Sequence, residues 1–356
     1  MRDWLHALDT IGTAGVPAVL VTVVAAKGSV PRAPGTRMLV TANATEGTIG
    51  GGHLEFKAIG IARDLLASAG PVALHRFALG ASLGQCCGGA ARLLFEPVCG
   101  RADWVDALLR ARTEEVDCAL VTPLGGDASE PRLVITAAWH SGTLGTAARD
   151  AAAITRAHDA LTGKAGSALH TLDDAGDPPR GEYFIDVVRQ PDVRVILFGA
   201  GHVGQALVGV LARLFCRITW VDTRDNAFPA AVPANVECIA TDAPEAEVAA
   251  APPGAYFVVM THSHPQDEAL SERILARSDF AYFGLIGSNS KRRQFERRLL
   301  ARGIPRSSLA GMTCPIGIAG IAGKEPDVIA IAVAAELLQV RGRRATARAE
   351  PSSRCA

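Results

Sequence analysis

The chain has few cysteines: eight among 356 residues, about 2%, well below the density of a disulfide scaffold. They stand at 86, 87, 99, 118, 216, 238, 314 and 355, and no two are spaced CxxC, which excludes a paired-knuckle zinc ribbon. In a reducing compartment most should be free thiols. Excess charge of either sign is also lacking: Lys plus Arg and Asp plus Glu are 36 each. Bulk electrostatics therefore call for neither a nucleic-acid nor a membrane partner. Long apolar runs are missing as well. Val16–Ala26 is interrupted by Thr22 and Val328–Val340 by Glu336, whereas a membrane span needs about 18–20 apolar residues. The opening MRDWLHALDTIGTAG has no apolar run behind a basic region, so no ordinary secretory signal is read and a cytoplasmic location is expected. No internal repeat is apparent.

What is present describes a folded protein. A hydrophobic fraction of 49% with 20% charged residues excludes a wholly disordered chain. The length predicts roughly two domains at about 150 residues each. In the first half, Trp4, Leu5, Leu8 and Ile11 fall at helical spacing, and Val16–Ala26 reads as a buried strand. KGSVPRAPG (27–35) is a loop by its prolines and glycines. A second strand is expected at 36–41, a helix from Leu54 to about 68, strands at 72–79 and 91–96, a helix at 102–112, extended segments at 117–122 and 132–138, and a strand at 183–188. Residues 163–181 carry little periodicity. From 193 onward strands and helices alternate regularly: strands at 193–198, 217–222, 236–240, 256–260 and 280–286, helices at 203–214, 266–277, 290–302 and 326–340. That pattern predicts a parallel sheet covered on both faces. The expected fold is α/β: an amino-terminal α/β domain (1–188), a Rossmann-like doubly wound parallel-sheet domain (189–340), and a disordered basic tail (341–356).

Several motifs carry chemistry. Gly199, Gly201 and Gly204 form a GxGxxG that follows an apolar strand and opens a helix, the context in which that pattern cradles a phosphate. Asp222 ends the next strand, near the spacing at which a carboxylate meets a ribose hydroxyl, and Arg224 would instead suit a 2′-phosphate. Further on, Thr261-His262-Ser263-His264-Pro265-Gln266-Asp267 follows a strand end. His262, His264 and Asp267 are candidate ligand or metal contacts, and a plain helix start reads the same residues equally well. In the first half, Thr48-Ile49-Gly50-Gly51-Gly52-His53-Leu54-Glu55 leads an extended stretch into a helix and offers N–H groups to an anion. Lys27, Arg32 and Arg37 lie in or near the preceding loop as candidate cations. The vicinal Cys86 and Cys87, in LGQCCGG, suit a soft metal, sulfur carriage or disulfide exchange. Ser290-Lys291-Arg292-Arg293 begins a basic helix that either lines the same mouth or is simply solvated.

Taken in order, KGSVPRAPGTRML, GTIGGGHLE, LGQCCGG, FGAGHVG, WVDTR, THSHPQDEAL, FGLIGSNSKRRQF and CPIGIAGIAGKEP resemble the XdhC/CoxI family over about residues 5–340. The resemblance implies an assembly factor for molybdenum hydroxylases. Such a factor binds molybdenum cofactor (the molybdopterin form), protects it once sulfurated, and inserts it into apo-xanthine dehydrogenase with no turnover of its own. The partners implied are the molybdenum-bearing subunit of xanthine dehydrogenase and a cysteine desulfurase; a homodimer is left open, since the sequence does not fix the oligomeric state. His53 stands where the carbon monoxide dehydrogenase branch often carries cysteine, which favours the xanthine dehydrogenase branch. The expected cofactor contacts are Lys27, Arg32, Gly50, Gly51, Gly52, Glu55, Cys86, Cys87, Gly199, Gly201, His202, Gly204, Asp222, His262 and His264, with Cys86 and Cys87 on the molybdenum. The competing reading is an NAD(P)-binding oxidoreductase using the Rossmann domain.

Overall fold

A computed structural model describes residues 4–79, 88–125, 131–163, 166–172, 181–214 and 216–349. The chain divides into two compact units between Gln190 and Pro191.

The amino-terminal unit opens with α1 (Trp4–Thr13), β1 (Ala18–Lys27), β2 (Arg37–Thr41), β3 (Thr45–Gly47), α2 (Gly52–Ser68), β4 (Ala73–Ala78) and β5 (Ala90–Val98). The same succession then recurs as α3 (Asp103–Thr113), β6 (Cys118–Pro123), β7 (Leu133–Thr136), β8 (His140–Gly142), α4 (Ala147–Leu161), β9 (Ala168–Leu172) and β10 (Gly181–Val188). Each set builds a five-stranded antiparallel sheet with one strand order, β3-β2-β1-β5-β4 and β8-β7-β6-β10-β9. The registers also agree. Leu20 pairs with Leu39 and Glu96, and Leu120 with Val134 and Asp186. Met38 pairs with Gly47 as Leu133 does with Gly142. The unit is therefore an internal duplication, where the sequence had suggested no repeat. Matched positions include Trp4 and Trp104, Thr22 and Thr122, Arg37 and Arg132, and the Leu-His pairs at 74–75 and 169–170.

The two sheets share a core to which both copies contribute matched residues: Leu8 with Leu108, Ala18 with Cys118, and Leu20 with Leu120. Two buried ion pairs cross between the copies, Arg37 to Asp186 at 2.5 Å and Arg132 to Glu96 at 2.6 Å. Each guanidinium lies over a matched indole, Trp4 at 4.2 Å and Trp104 at 4.3 Å. Stacked, always-charged guanidinium groups suit such sites, and each pair neutralises charges whose burial would otherwise be costly. Arg37 is thus a core residue, not a loop cation open to ligand. Strand β9 lies within the 163–181 stretch of little periodicity, and helix α4 lies in a stretch to which the sequence assigned no element. The alanine-rich α4 buries only Ala153, Ala157 and Ala160, too small a stripe to stand out.

The carboxy-terminal unit is a six-stranded all-parallel sheet of β11 (Arg194–Phe198), β12 (Arg217–Asp222), β13 (Val236–Ala240), β14 (Tyr256–Val259), β15 (Tyr282–Leu285) and β16 (Met312–Thr313). The order β13-β12-β11-β14-β15-β16 is the 3-2-1-4-5-6 arrangement of the dinucleotide-binding fold, with its crevice where the order reverses, between β11 and β14. Alternate residues serve opposite faces, as a sheet's two-residue period requires. Val195 and Leu197 pack with α5 (His202–Leu211) and α10 (Pro326–Ala349). Ile196 and Phe198 pack with α6 (Glu245–Ala250), α7 (His264–Leu275), α8 (Asn289–Ala301) and α9 (Arg306–Leu309). The expected α/β class with a Rossmann-like second unit is what the chain adopts. The basic tail is a correction over 341–349: α10 runs on to Ala349, because Ala and Arg favour helix and no proline intervenes before Pro351, while 350–356 lie outside the described residues. Among the described residues no helix is long and apolar enough to cross a membrane.

Candidate functional site

Each unit carries a glycine-led turn that opens a helix. In the amino-terminal unit Gly50, Gly51 and Gly52 have φ of +125°, +75° and +66°, a region in which a Cβ is strained. The turn is braced by Glu55. Its Oε2 accepts from Thr48 Oγ1 at 2.5 Å and from the N–H groups of Ile49 and Gly51, both at 3.0 Å. The second copy repeats the brace, since Asp150 accepts from Thr143 Oγ1 at 2.8 Å and from Leu144 N–H at 2.6 Å. A carboxylate doing the same work where the glycine run is missing is a structural part, and Glu55 braces the turn through Oε2.

The copies differ at the helix start itself. Thr146 and Ala147 replace Gly51 and Gly52, and Thr146 caps α4 by accepting the Arg149 N–H. At Gly51 no side chain caps α2, and an added Cβ would meet nothing within 4 Å. The first N–H groups of α2 thus keep the unmet bonding capacity and partial positive charge of a helix start.

Three sequence motifs converge here. A Cβ at Gly50 would lie 2.6 Å from Pro31, and one at Gly89 would lie 2.6 Å from the Lys27 carbonyl oxygen. The 27–35 loop therefore packs on the glycine turn through Pro31 and Arg32, and on the Gly88–Gly89 pair through Lys27 and Ser29. Lys27 and Arg32 are exposed, and Arg32 Cγ would lie 3.4 Å from a Cβ at Gly50. Cys86 and Cys87 lie outside the described residues. Phe56, one turn into α2, is 76% exposed and pairs edge-on with His53 at 6.3 Å between ring centroids. The sequence reading passed over Phe56. The signal was there, since Leu54, Ala58 and Ala62 define the buried face and Phe56 falls off it.

In the carboxy-terminal unit the three glycines divide their labour as the fingerprint requires. Gly199 (φ +113°) makes the tight turn, where a Cβ would come 2.4 Å from the Met260 carbonyl oxygen. At Gly204 it would strike the Gly199 carbonyl oxygen, so helix and strand pack closely there. Gly201 faces open space and begins α5 without a side-chain cap. His202, His262 and His264 are exposed at this mouth.

Asp222 is placed differently from the ribose-binding expectation. Oδ2 accepts from the Ala200 N–H at 2.7 Å and Arg224 Nη2 at 2.9 Å, while Oδ1 accepts from the Arg224 N–H and Nε. Burial alone would raise its pKa, but the Arg224 guanidinium and the backbone N–H groups hold it at about 2. Both oxygens are engaged, so Asp222 ties the glycine turn to β12 and clamps Arg224.

Asp267 does not join the two histidines as a metal ligand. It is fully buried, accepts from Thr261 Oγ1 at 2.7 Å, and pairs with Lys291 at 2.6 Å. Ser263 caps α7, so a helix start accounts for this stretch. Among the described residues no cluster of three or more His, Cys, Asp or Glu is arranged to hold a metal. Lys291 itself faces inward, closing the gap between the β14 and β15 turns through Asp267 and the Ile286 carbonyl. The described cysteines are free thiols, and burial pushes Cys118 up to about 12 and Cys216 up to about 11.

Comparison with known proteins bears on the fold and the family. The chain is 31% identical over 151 residues to the Escherichia coli (strain K12) protein named Uncharacterized protein YqeB, a match covering 42% of this chain and 27% of that protein. The chain thus spans about a quarter of the length of that curated relative. A crystal structure described as a xanthine dehydrogenase from Bacillus halodurans superposes with a TM-score of 0.68 at 21% identity, covering 99% of this chain and 97% of that one. At that identity it shows a shared fold. The model of the XdhC Rossmann domain matches residues 195–337, and that of the XdhC and CoxI family matches residues 13–78. Together the two span more than half of the sequence, in the order the fold requires, and the chain belongs to the XdhC and CoxI family.

Proposed function

We propose that this chain is a molybdenum cofactor-binding chaperone for xanthine dehydrogenase maturation, which shelters sulfurated cofactor as cargo and inserts it into the apo-enzyme. The observation that carries the reading is the pair of uncapped, glycine-led helix starts at Gly51 and Gly201, where the backbone lies open. Molybdopterin bears a phosphate, and a helix start is built for an anion. Lys27 and Arg32 add positive charge beside the first turn, and the exposed Phe56 offers a stacking face to a planar ring. Soft thiols at Cys86 and Cys87 suit a molybdenum–sulfur centre. The partners in this scheme are the molybdenum-bearing subunit of xanthine dehydrogenase and a cysteine desulfurase that supplies sulfur, with the chain acting as a homodimer in the cytoplasm. The test is mass spectrometry with molybdenum analysis of protein isolated from a cofactor-producing host. Wild type should carry the pterin, and Gly51→Val should carry little. Wild type that never acquires it refutes the reading.

A second reading, an NAD(P)-linked oxidoreductase, draws on the division of roles among Gly199, Gly201 and Gly204. Against it stands the engaged carboxylate of Asp222. Calorimetric titration with NAD and NADP separates the two. Binding that Gly201→Val abolishes supports the oxidoreductase, and silence at millimolar dinucleotide removes it.

A further inference from the structure

The stretch from Lys291 to Arg306 carries seven cations and a single acid, Glu296. Four of the seven are committed. Lys291 pairs with Asp267, Arg292 with Glu296, Arg298 with Glu268, and Arg302 with Glu268 and Glu272. Arg293, Arg297 and Arg306 have no such partner among the described residues. All three line one open groove between α8 and α9, of about 720 Å³. Leu300, 37% exposed, and Leu309 supply its apolar floor.

We propose that this groove docks an acidic helical segment of a partner protein. Arg293 and Arg297 are one turn apart on α8, about 6 Å along its axis, with Arg306 across the groove on α9. That spacing matches carboxylates at i and i+4 on an incoming helix, and guanidinium forks take carboxylates in bidentate pairs. A leucine between the cations matches the makeup of interfaces, an apolar centre within an Arg-rich rim. A phosphate ligand would want donors converging on one point, backbone N–H groups among them. Here the arginines are strung along the walls, and Ser288 already caps the start of α8. Because the whole chain is neutral, the unpaired cations are a local feature able to steer an acidic partner. The inference stands whether or not the chain carries molybdenum cofactor.

The test uses the full chain and a fluorescein-labelled synthetic helix whose glutamates at i and i+4 flank a leucine, followed by anisotropy at low salt. Wild type should bind it at least tenfold more tightly than its glutamine counterpart. Arg297→Glu/Arg306→Glu should weaken binding at least tenfold, Leu300→Ser should weaken it severalfold, and Arg343→Glu on α10 should leave it unchanged. Circular dichroism checks that the variants fold. No binding by wild type, or equal binding by the charge-reversed variant, overturns the proposal. Displacement by inorganic triphosphate at concentrations comparable to the peptide also overturns it and assigns the groove to a phosphate ligand instead.

Discussion

The duplicated amino-terminal unit contains its own control for the candidate site, and replacing Glu55 exploits it. Glu55→Ala removes an acceptor of three hydrogen bonds, from Thr48 Oγ1 and the N–H groups of Ile49 and Gly51. At about 1 kcal/mol net per bond, the loss is about 3 kcal/mol. Asp150→Ala, its counterpart, removes two, from Thr143 Oγ1 and Leu144 N–H, or about 2 kcal/mol. For a unit of this size each kcal/mol lowers Tm by about 2–4 °C, so both changes are measurable. Tryptophan fluorescence in urea is a suitable probe, since Trp4, Trp104 and Trp139 lie in the amino-terminal unit and only Trp220 in the other.

The two variants should part on cargo. Glu55→Ala lets the glycine turn relax and should lose bound molybdenum and pterin. Asp150→Ala disturbs a turn whose helix is closed by Thr146 and should keep them. If Glu55→Ala abolishes cargo while stability stays within about 0.5 kcal/mol of wild type, less than the loss of a single such bond, Glu55 touches the ligand and the bracing role is wrong. If Asp150→Ala loses cargo equally, the loss follows from general destabilisation, and the α2 turn is not the site.

Other consequences are open to measurement. Arg37→Met leaves Asp186 buried without its cation and should cost about 3–5 kcal/mol in urea unfolding, whereas Arg37→Met/Asp186→Leu should recover most of it. Asp222 is held at about 2, below the ordinary value near 3.9, so it contributes about 2–3 kcal/mol, fully present above about pH 5 and lost as pH falls through 2. In Asp222→Asn that part of the acid dependence, followed through Trp220, should vanish. Phe56→Ala removes a side chain 76% exposed, so Tm should hold while cargo affinity falls about three- to tenfold if the ring stacks on the pterin.

The carboxy-terminal unit was legible because its signals are local. A glycine fingerprint between an apolar strand and a helix specifies the turn, the helix start and the close strand contact within a few residues. What Asp222, Asp267 and Lys291 do was not legible. Each carboxylate stands at a position where a ligand contact and a structural clamp need the same residue, and only the folded geometry shows the clamp. The duplication escaped for a different reason. Matched residues stand 100 positions apart at Trp4 and Trp104, 95 at Arg37 and Arg132, and 90 at Glu96 and Asp186. Shorter connections in the second copy shift the interval, so no single period survives along the sequence.

That drift also explains where function could diverge. The matched residues that persist are the ones each copy needs to bury its partner: the indole over the guanidinium, the crossing ion pairs, and the strand core. The helix-start turn is under no such demand from the interface, since its brace is internal to each copy. One copy seals its helix with Thr146, and the other carries three glycines and an open backbone. The two turns differ in backbone as well as in sequence: Gly51 and Gly52 lie at φ +75° and +66°, whereas Thr146 is extended at φ −138°. The second copy braces its turn with Gly145 alone in the left-handed region. Gly51 and Gly52 leave the backbone open at the start of α2, which is where the proposed reading places an anionic cargo.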